Sequence, residues 1–373
     1  MFSGHAWRQF DWWMVLAVVA LVAIGFAAIY SVALSLPVGD LLSVKKQAIA
    51  LLVGALAGLG LALTHVRWFE SLSLHLYVLG VVLLVLVLFF GETIRGTTGW
   101  FVLPGFNIQP VEFAKIALIL GLAHRLARRR SAVLAWRDIA HTGLLAGIPV
   151  VLVFLQPDLG SALVLVGVWG ILLLCSRITS RQVLALGALF LVLGLLGWQF
   201  LAGYQQERLL SFLHPAADPL GGGYNVTQAM IAVGSGQWFG RGLGFGSQSQ
   251  LRFIPEAHTD FVAAVVAEEL GFVGLTLLCA AFALLFWRLL RLASRAPDDF
   301  LRLFLLGTTA VLFIQFFVNV GMNLGLLPVT GITLPFVSYG GSSLIFFLCL
   351  IGMAQSTAAH LSRTGGGEGT RQA

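Results

Sequence analysis

The chain has 373 residues, of which 58% are hydrophobic and only 10% are charged, and its mean hydropathy is +0.94. Soluble globular domains have roughly 45–50% apolar residues, so this composition excludes a water-soluble fold and predicts a protein that lies mostly in a lipid bilayer. The formal net charge of +6 would also suit nucleic-acid binding, but its distribution along the chain favours membrane topology instead.

Ten apolar stretches are long enough to cross a membrane, which takes about 17–25 residues of helix. Their approximate bounds are residues 12–30, 47–64, 72–90, 110–127, 139–155, 160–175, 182–202, 261–287, 300–321 and 336–358. We therefore predict an all-α membrane protein with ten transmembrane helices. Residues 1–360 would form a single membrane domain, and residues 361–373 a flexible cytoplasmic tail.

Basic residues collect on one side of the predicted spans. With ten spans and the N-terminus inside, Arg128, Arg129, Arg130, Arg288 and Arg291 all fall in short cytoplasmic segments. This asymmetry follows the positive-inside rule and predicts that both termini are cytoplasmic. Most prolines lie on the outer side, where irregular backbone needs protein or a water-filled cavity around it. We therefore expect the working face to be the outer one.

The largest predicted outer segment covers residues 203–259, between the seventh and eighth spans. It is rich in glycine and glutamine, but its aromatic residues make it too apolar for a disordered segment. Loops of this length are usually functional. We expect short amphipathic helices within it, one of them around Val226 to Val233.

The clearest chemical signal is a set of acidic residues around the start of the eighth span. Residues 254–270, IPEAHTDFVAAVVAEEL, place Asp260 near His258, with Glu268 and Glu269 two turns further on. A carboxylate at a helix centre in hydrocarbon costs about 2.5–3.5 kcal/mol, so its presence favours ion handling, proton transfer or catalysis. Helix capping is the alternative for Asp260, and structural pairing is the alternative for Glu268 and Glu269.

The fourth span begins with NIQPVEFAK, in which Gln109 precedes a proline that suits the first turn of a helix. Glu112 and Lys115 are three residues apart and so share one helix face. Opposite charges inside a span are expected to face the bundle interior and to pair. Either the two form a structural ion pair, or Lys115 contacts an anionic substrate group while Glu112 orients it.

Further candidate substrate contacts lie on the outer side, each with a simpler alternative. Asp158 either caps the sixth span or belongs to a site, and Trp100 is either a site residue or part of an aromatic belt. Arg208 lies next to the membrane in the large loop. Ser338 is one of several hydroxyls that could line a cavity before the last span.

The sequence contains no zinc, phosphate-loop, serine-hydrolase or dinucleotide motif. The two-residue spacing of His258 and Asp260 is too weak to predict a metal site. An acid-rich cavity could hold one divalent cation through carboxylates and a substrate phosphate.

Five motifs together resemble the SEDS family (shape, elongation, division and sporulation), and most closely its RodA-type peptidoglycan polymerases. In chain order they are NIQPVEFAK, QPDLGSA, DPLGGGYNVTQAMIAVGSG, FGRGLGFGSQSQLRFIPEAHTDF and GLLPVTGITLPFVSYGGSS. PEAHTDF also resembles the division type, FtsW, which is the alternative subtype. The chain departs from the family at Gly99, where an arginine often precedes the tryptophan; that contact is absent or supplied by Arg95.

The resemblance implies a ten-helix glycosyltransferase that polymerises lipid II at the outer face of the bacterial cytoplasmic membrane, for cell elongation and shape. It implies Asp260 as the essential carboxylate and Glu112, Lys115 and Asp158 as cavity residues. It also implies a class B penicillin-binding protein as transpeptidase partner, other membrane proteins of the elongation complex, and a divalent cation, Mg²⁺ or Mn²⁺. No organic cofactor or nucleic-acid partner is expected.

The chemistry of such an enzyme is compatible with these residues. Converting an α-linked diphosphate into a β-linked glycan requires inversion, and a single displacement needs one general base, for which Asp260 is the candidate. Lys115, Arg208 or a divalent ion would meet the charge of the leaving diphosphate. The main alternative is a lipid flippase or transporter, although the inner halves of the spans look apolar. A non-catalytic scaffold is the third hypothesis.

Overall fold

The computed structural model describes residues 10–35, 41–94, 96–103, 105–129, 133–201, 203–213 and 223–365. Most of these residues are helical. The helices are α1 (Trp12–Leu34), α2 (Leu42–Leu63), α3 (Arg67–Phe90), α4 (Pro110–Ala127), α5 (Trp136–Phe154), α6 (Leu159–Leu174), α7 (Ser180–Gly197), α8 (Gly203–Leu213), α9 (Tyr224–Ser235), α10 (Ser247–Gln250), α11 (Val262–Ser294), α12 (Asp299–Asn323) and α13 (Gly341–Gly365).

Each predicted span overlaps one of the long helices α1–α7 and α11–α13. Within the described residues, eight of these helices are long and apolar enough to cross a membrane. The other two are α6, which has 16 residues, and α4, which carries Glu112, Lys115 and Arg125. A helical, multi-pass membrane protein is therefore confirmed, whereas the number of ten crossings stays a prediction.

Acidic caps and one ion pair fix several helix ends. The side chains of Asp11, Asp158 and Asp298 each accept a backbone N–H from the first turn of α1, α6 and α12, respectively. These N–H groups have no partner within their own helix. Asp11 is also bound by Arg288 of α11 at 2.6 Å, so the start of α1 is tied to α11.

The helices differ widely in how deeply they are buried. Most residues of α4 are buried, and α12 and α13 are the most enclosed of the eight apolar helices, whereas none of the apolar stretch of α7 is buried. α2 packs along α13, α3 along α4, and α1 along α11. We infer that α4, α12 and α13 form the centre of the bundle and that α7 faces lipid.

A small antiparallel sheet lies between α3 and α4. Its strands are β1 (Glu92–Ile94), β2 (Thr97–Leu103) and β3 (Phe106–Ile108), in the order β1-β2-β3. Turns at Gly96 and Gly105, both with positive φ, connect them and need a residue without a side chain. The prediction of helices alone missed this sheet.

Helix α11 is interrupted at Gly271, whose φ of 68° and ψ of −164° are not helical. The N–H groups of Phe272 and Val273 donate to carbonyls of residues 237 and 238, and the carbonyls of Glu268 and Glu269 accept N–H groups of residues 241 and 242. These loop residues belong to a glycine-rich loop, residues 236–246. The glycine-rich loop therefore satisfies the backbone groups that the break leaves free, as irregular backbone within a membrane requires.

The segment between α7 and α11 contains the three shorter helices. The short helix predicted around Val226 to Val233 is α9. The last helix was predicted from residue 336 but begins at Gly341. The φ of Phe336 is 66°, which lies outside the range of a right-handed helix. It continues through residue 365, into the predicted tail. Arg95 and the ranges 214–222 and 366–373 lie outside the described residues.

Candidate functional site

A cavity of about 490 Å³ opens where the sheet meets the ends of several helices. Strands β2 and β3, the start of α4, the turn before α6, helix α8 and the start of α13 contribute to its wall, together with Glu256, Thr259, Asp260 and residues 328–333. Seven predicted site residues line it: Asp260, Glu112, Lys115, Gln109, Asp158, Trp100 and Arg208. Residues from widely separated parts of the chain thus meet in one place.

Asp260 lies in the turn before α11 and is not the N-cap residue of that helix. The N-cap residue is Phe261, whose side chain forms no capping hydrogen bond. Gly331, on the facing wall, has a φ of +73°, and a Cβ atom built on it would lie 3.7 Å from Oδ2 of Asp260 and 3.9 Å from Nη1 of Arg208. The carboxylate and the guanidinium therefore face the same patch of backbone.

Glu112 and Lys115 form an ion pair on the first turns of α4. The Nζ–Oε1 distance is 2.8 Å, and both side chains are at least 94% buried. Pro110 at the first helical position and the following residues begin α4 at the wall of the cavity. The pair is thus self-neutralising and at the same time part of the cavity, so the two alternatives weighed for it are compatible.

Asp158 and Trp100 occupy neighbouring parts of the wall. Asp158 accepts the N–H of Ser161 at 2.9 Å and so caps α6, while it also lines the cavity. Trp100 lies on β2, which is joined to the turn before α6 by a backbone hydrogen bond from Thr98 to Gln156. The sheet and the turn therefore position both side chains together.

The departure from the family at Gly99 has a steric counterpart. Gly99 is buried, and a side chain there would begin 3.3 Å from Oε1 of Gln156, which is tighter than ordinary van der Waals contact. A side chain at this position would require Gln156 to shift by a few tenths of an ångström. Whether Arg95 supplies the missing contact stays a prediction, since Arg95 is not among the described residues.

Two predicted contacts, His258 and Ser338, are not among the residues that line the cavity. The hydroxyl of Ser338 donates to the carbonyl of Thr259 at 2.6 Å and accepts the N–H of Leu334 at 2.8 Å. The carbonyl of His258 accepts the N–H of Tyr339, whose ring packs on the His258 ring. Both residues therefore tie the segment before α11 to the segment before α13, behind the cavity wall.

Sequence reasoning missed several uncharged residues that shape the site. Asn319 and Asn323 of α12 donate to the carbonyl of Asp260. Gln47 of α2 binds backbone at both Ser338 and Gly340. The only signal was an amide side chain inside an apolar run, which is costly unless it forms hydrogen bonds.

The described residues offer a divalent cation few protein ligands at this cavity. Among the described residues, no group of three or more His, Cys, Asp or Glu side chains is close enough to bind a metal. Asp260 and Glu256 both line the cavity. Mg²⁺ typically uses one or two carboxylates, substrate phosphates and water as ligands, so these two residues fit such an ion.

Comparison with known proteins identifies the family. The cell cycle proteins FtsW, RodA and SpoVE form a family that matches residues 11–363. The chain belongs to this family. A probable peptidoglycan glycosyltransferase FtsW from Geobacter sp. (strain M18) is 37% identical over 85% of this chain and 87% of the relative. The peptidoglycan glycosyltransferase MrdB of Escherichia coli (strain K12) is 40% identical over 79% of this chain and 80% of the relative.

Solved structures have the same fold. One, described as "Structural coordination of polymerization and crosslinking by a peptidoglycan synthase complex", matches with a TM-score of 0.80 and 37% identity over 94% of this chain and 98% of that chain. The rod shape determining protein RodA of Thermus thermophilus matches with a TM-score of 0.70 and 35% identity over 94% and 96% of the two chains. The predicted family is confirmed, while the RodA subtype stays a prediction.

Proposed function

We propose that this protein is a peptidoglycan glycosyltransferase that polymerises lipid II at the outer face of the cytoplasmic membrane, in the RodA-type role of cell elongation and shape. The observation that carries the proposal is the cavity itself, which Asp260 lines together with the cations Lys115 and Arg208. Two relatives named peptidoglycan glycosyltransferases support the enzyme class.

The reaction is a single inverting displacement. The 4-hydroxyl of GlcNAc on one lipid II attacks the anomeric carbon of MurNAc on another, and Asp260 takes the hydroxyl proton as general base. The new β-glycosidic bond forms as the α-bond to the undecaprenyl diphosphate breaks, and the diphosphate leaves with the bonding electrons.

Two cationic side chains stabilise the leaving group. Lys115 is fixed by Glu112 at 2.8 Å, so its ammonium is already in place when charge develops on the diphosphate. Such preorganised charges lower a barrier because no reorganisation is needed during the reaction. A divalent cation bound to the diphosphate and to a cavity carboxylate such as Glu256 would supply further positive charge to the leaving group.

The membrane arrangement follows from the charge pattern. We place ten crossings in the cytoplasmic membrane and both termini in the cytoplasm, because the arginine-rich segments then face inward. A class B penicillin-binding protein is the expected transpeptidase partner, together with other elongation-complex membrane proteins. The structural relative from a complex that coordinates polymerisation and crosslinking supports such a partner.

Polymerisation of purified lipid II tests the proposal. Wild type is compared with Asp260→Asn, alone and with a class B penicillin-binding protein, in the presence and absence of EDTA. The matched control is Glu207→Gln, the same carboxylate-to-amide change at an exposed position of α8 outside the cavity lining. Glycan strands are expected from wild type and the control but not from Asp260→Asn, and loss of polymer in EDTA would support the metal.

Two outcomes would contradict this assignment. Normal polymerisation by Asp260→Asn would reject Asp260 as the base. Absence of polymer from wild type even with a partner would favour the flippase alternative, for which lipid II translocation in liposomes is the assay.

A further inference from the structure

Two buried asparagines of α12 hold the backbone of the proposed general base. Nδ2 of Asn319 lies 2.9 Å, and Nδ2 of Asn323 lies 3.0 Å, from the carbonyl oxygen of Asp260. Both asparagines are at least 99% buried. One carbonyl therefore receives two amide donors from a neighbouring helix.

Each asparagine also makes a second bond that extends this contact. Nδ2 of Asn319 lies 2.7 Å from the carbonyl oxygen of Ile332, next to the Gly331 that faces the carboxylate of Asp260. Oδ1 of Asn323 accepts the N–H of Ala264 at 3.0 Å, in the first turn of α11. The two side chains thus join both walls of the cavity and the start of α11 to one rigid helix.

Asp260 needs such an external anchor. It lies in the turn between Glu256, whose φ is 55°, and the start of α11. Hydrogen bonds from Asp260 and Phe261 to the carbonyl of Glu256, and from Ser338 to the carbonyl of Thr259, hold the neighbouring backbone. The two asparagines bind the carbonyl of Asp260 itself. A displacement of about 1 Å at a reacting group can reduce the rate on the order of a hundredfold, so the anchor has a direct consequence for catalysis.

We propose that Asn319 and Asn323 are positioning residues, which set the distance between the carboxylate of Asp260 and the facing wall at residues 328–333. This inference rests on the proposed function for its catalytic consequence. The hydrogen-bonded unit of Asp260, Ile332, Asn319 and Asn323, here called the carbonyl clamp, can be tested by itself.

Helix α12 offers a matched control for the clamp. Gln315 lies one turn before Asn319 and is 99% buried, yet neither polar atom of its side chain has a hydrogen-bond partner among the described residues. Removing this amide deletes a buried polar group of the same helix without breaking a bond. Gln315→Leu therefore separates the loss of the clamp from the general effect of mutating the interior of α12.

The experiment compares Asn319→Leu, Asn323→Ser and Gln315→Leu with wild type by two measurements on the full-length protein. The first is hydrogen exchange of residues 254–264 and 328–334. The second is kcat and KM for lipid II polymerisation. In Asn319→Leu we expect faster exchange in both segments and a kcat reduced on the order of a hundredfold. KM should change little, because an interaction that acts only in the transition state affects kcat.

The other variants set the limits of the effect. Asn323→Ser leaves one of the two donors to Asp260 and should give a smaller change of the same kind. If Asn319→Leu does not fold, the result for Asn323→Ser tests the clamp. Gln315→Leu should match wild type in both measurements. Unchanged exchange in the clamp variants would overturn the clamp, and faster exchange with normal kcat would overturn the positioning role. If the clamp variants exchange faster but wild type itself makes no polymer, the clamp stands and the proposed function is overturned.

Discussion

Among the described residues, two pairs of charged residues are deeply buried on helices, and they differ in charge and in surroundings. Glu112 and Lys115 neutralise each other at 2.8 Å and line the cavity. Glu268 and Glu269 are both acidic, lie outside the cavity lining, and form no ion pair within the described residues. The first pair combines opposite charges, whereas the second depends on neutral donors.

The environment of the acidic pair explains how it is tolerated. The carboxylate of Glu268 accepts the N–H groups of Gln248 and Ser249 at 2.7 and 3.0 Å. Oε1 of Glu269 accepts the hydroxyl of Ser31 on α1 and that of Ser249 at 3.2 Å. Hydrogen bonds to a carboxylate are stronger than neutral ones, so the pair fixes α10 to α11 and α1.

This contrast shows that a buried acid in a membrane protein does not by itself identify a reactive site. What distinguishes the two pairs is where their hydrogen-bond and ion-pair partners lie. The carboxylates of Glu268 and Glu269 bind α10 and α1. The backbone carbonyls of the same two residues bind the loop that repairs the break in α11 at Gly271, so this pair has a structural task. The partner of Glu112 is Lys115, a cation that also lines the open cavity. This pair is therefore placed to take part in chemistry.

Replacing Lys115 should have the largest effect. Lys115→Met leaves Glu112 buried without its counter-charge, and breaking a buried pair in this way costs about 3–5 kcal/mol. We expect a large decrease in melting temperature in detergent and a loss of lipid II polymerisation. The control is the double variant Glu112→Gln/Lys115→Met, which removes both charges and should regain much of the stability but none of the activity. Equal melting temperatures for the two variants would mean that the charges do not stabilise each other.

Much of the fold was predictable because the bilayer requires long apolar helices. The predicted spans overlap the long helices, and the small sheet was missed because strands such as Glu92–Ile94 have too few residues to show a period. The break at Gly271 was also missed, since a glycine inside an apolar run reads as ordinary helix. Its signal lay elsewhere, in the glycine-rich loop that satisfies the break.

The candidate site was predictable where charge marks a position. Glu112, Lys115 and Asp158 were predicted because charges near the membrane are costly, and they do line the cavity. Ser338 was proposed as a cavity hydroxyl, but its bonds to backbone turn it away from the lining residues. Asn319 was missed, because an amide gives no charge signal and its partners are backbone groups that only the fold brings near.

Replacing Glu268 should have an intermediate effect. Glu268→Gln replaces a charged acceptor of two backbone N–H groups by a neutral amide with a single acceptor oxygen. Hydrogen bonds to charged groups contribute about 1.5–3 kcal/mol, so the melting temperature should fall, and the segment around α10 should become more sensitive to protease. The rate of polymerisation per folded molecule should stay close to that of wild type. A folded variant without activity would contradict the structural role and place Glu268 in the reaction.

Replacing Glu269 should have the smallest effect, because its two oxygens are used unequally. Oε1 accepts the hydroxyls of Ser31 and Ser249, whereas Oε2 is buried without a hydrogen-bond partner among the described residues. Glu269→Gln retains an oxygen acceptor and removes a buried charge, so we expect a stability change of about 1 kcal/mol or less. Ser31→Ala is the companion variant, since it removes one of the donors to Oε1 and leaves the carboxylate. A much larger loss in Glu269→Gln than in Ser31→Ala would mean that the charge of Glu269, and not its hydrogen bonds, holds α10 against α1.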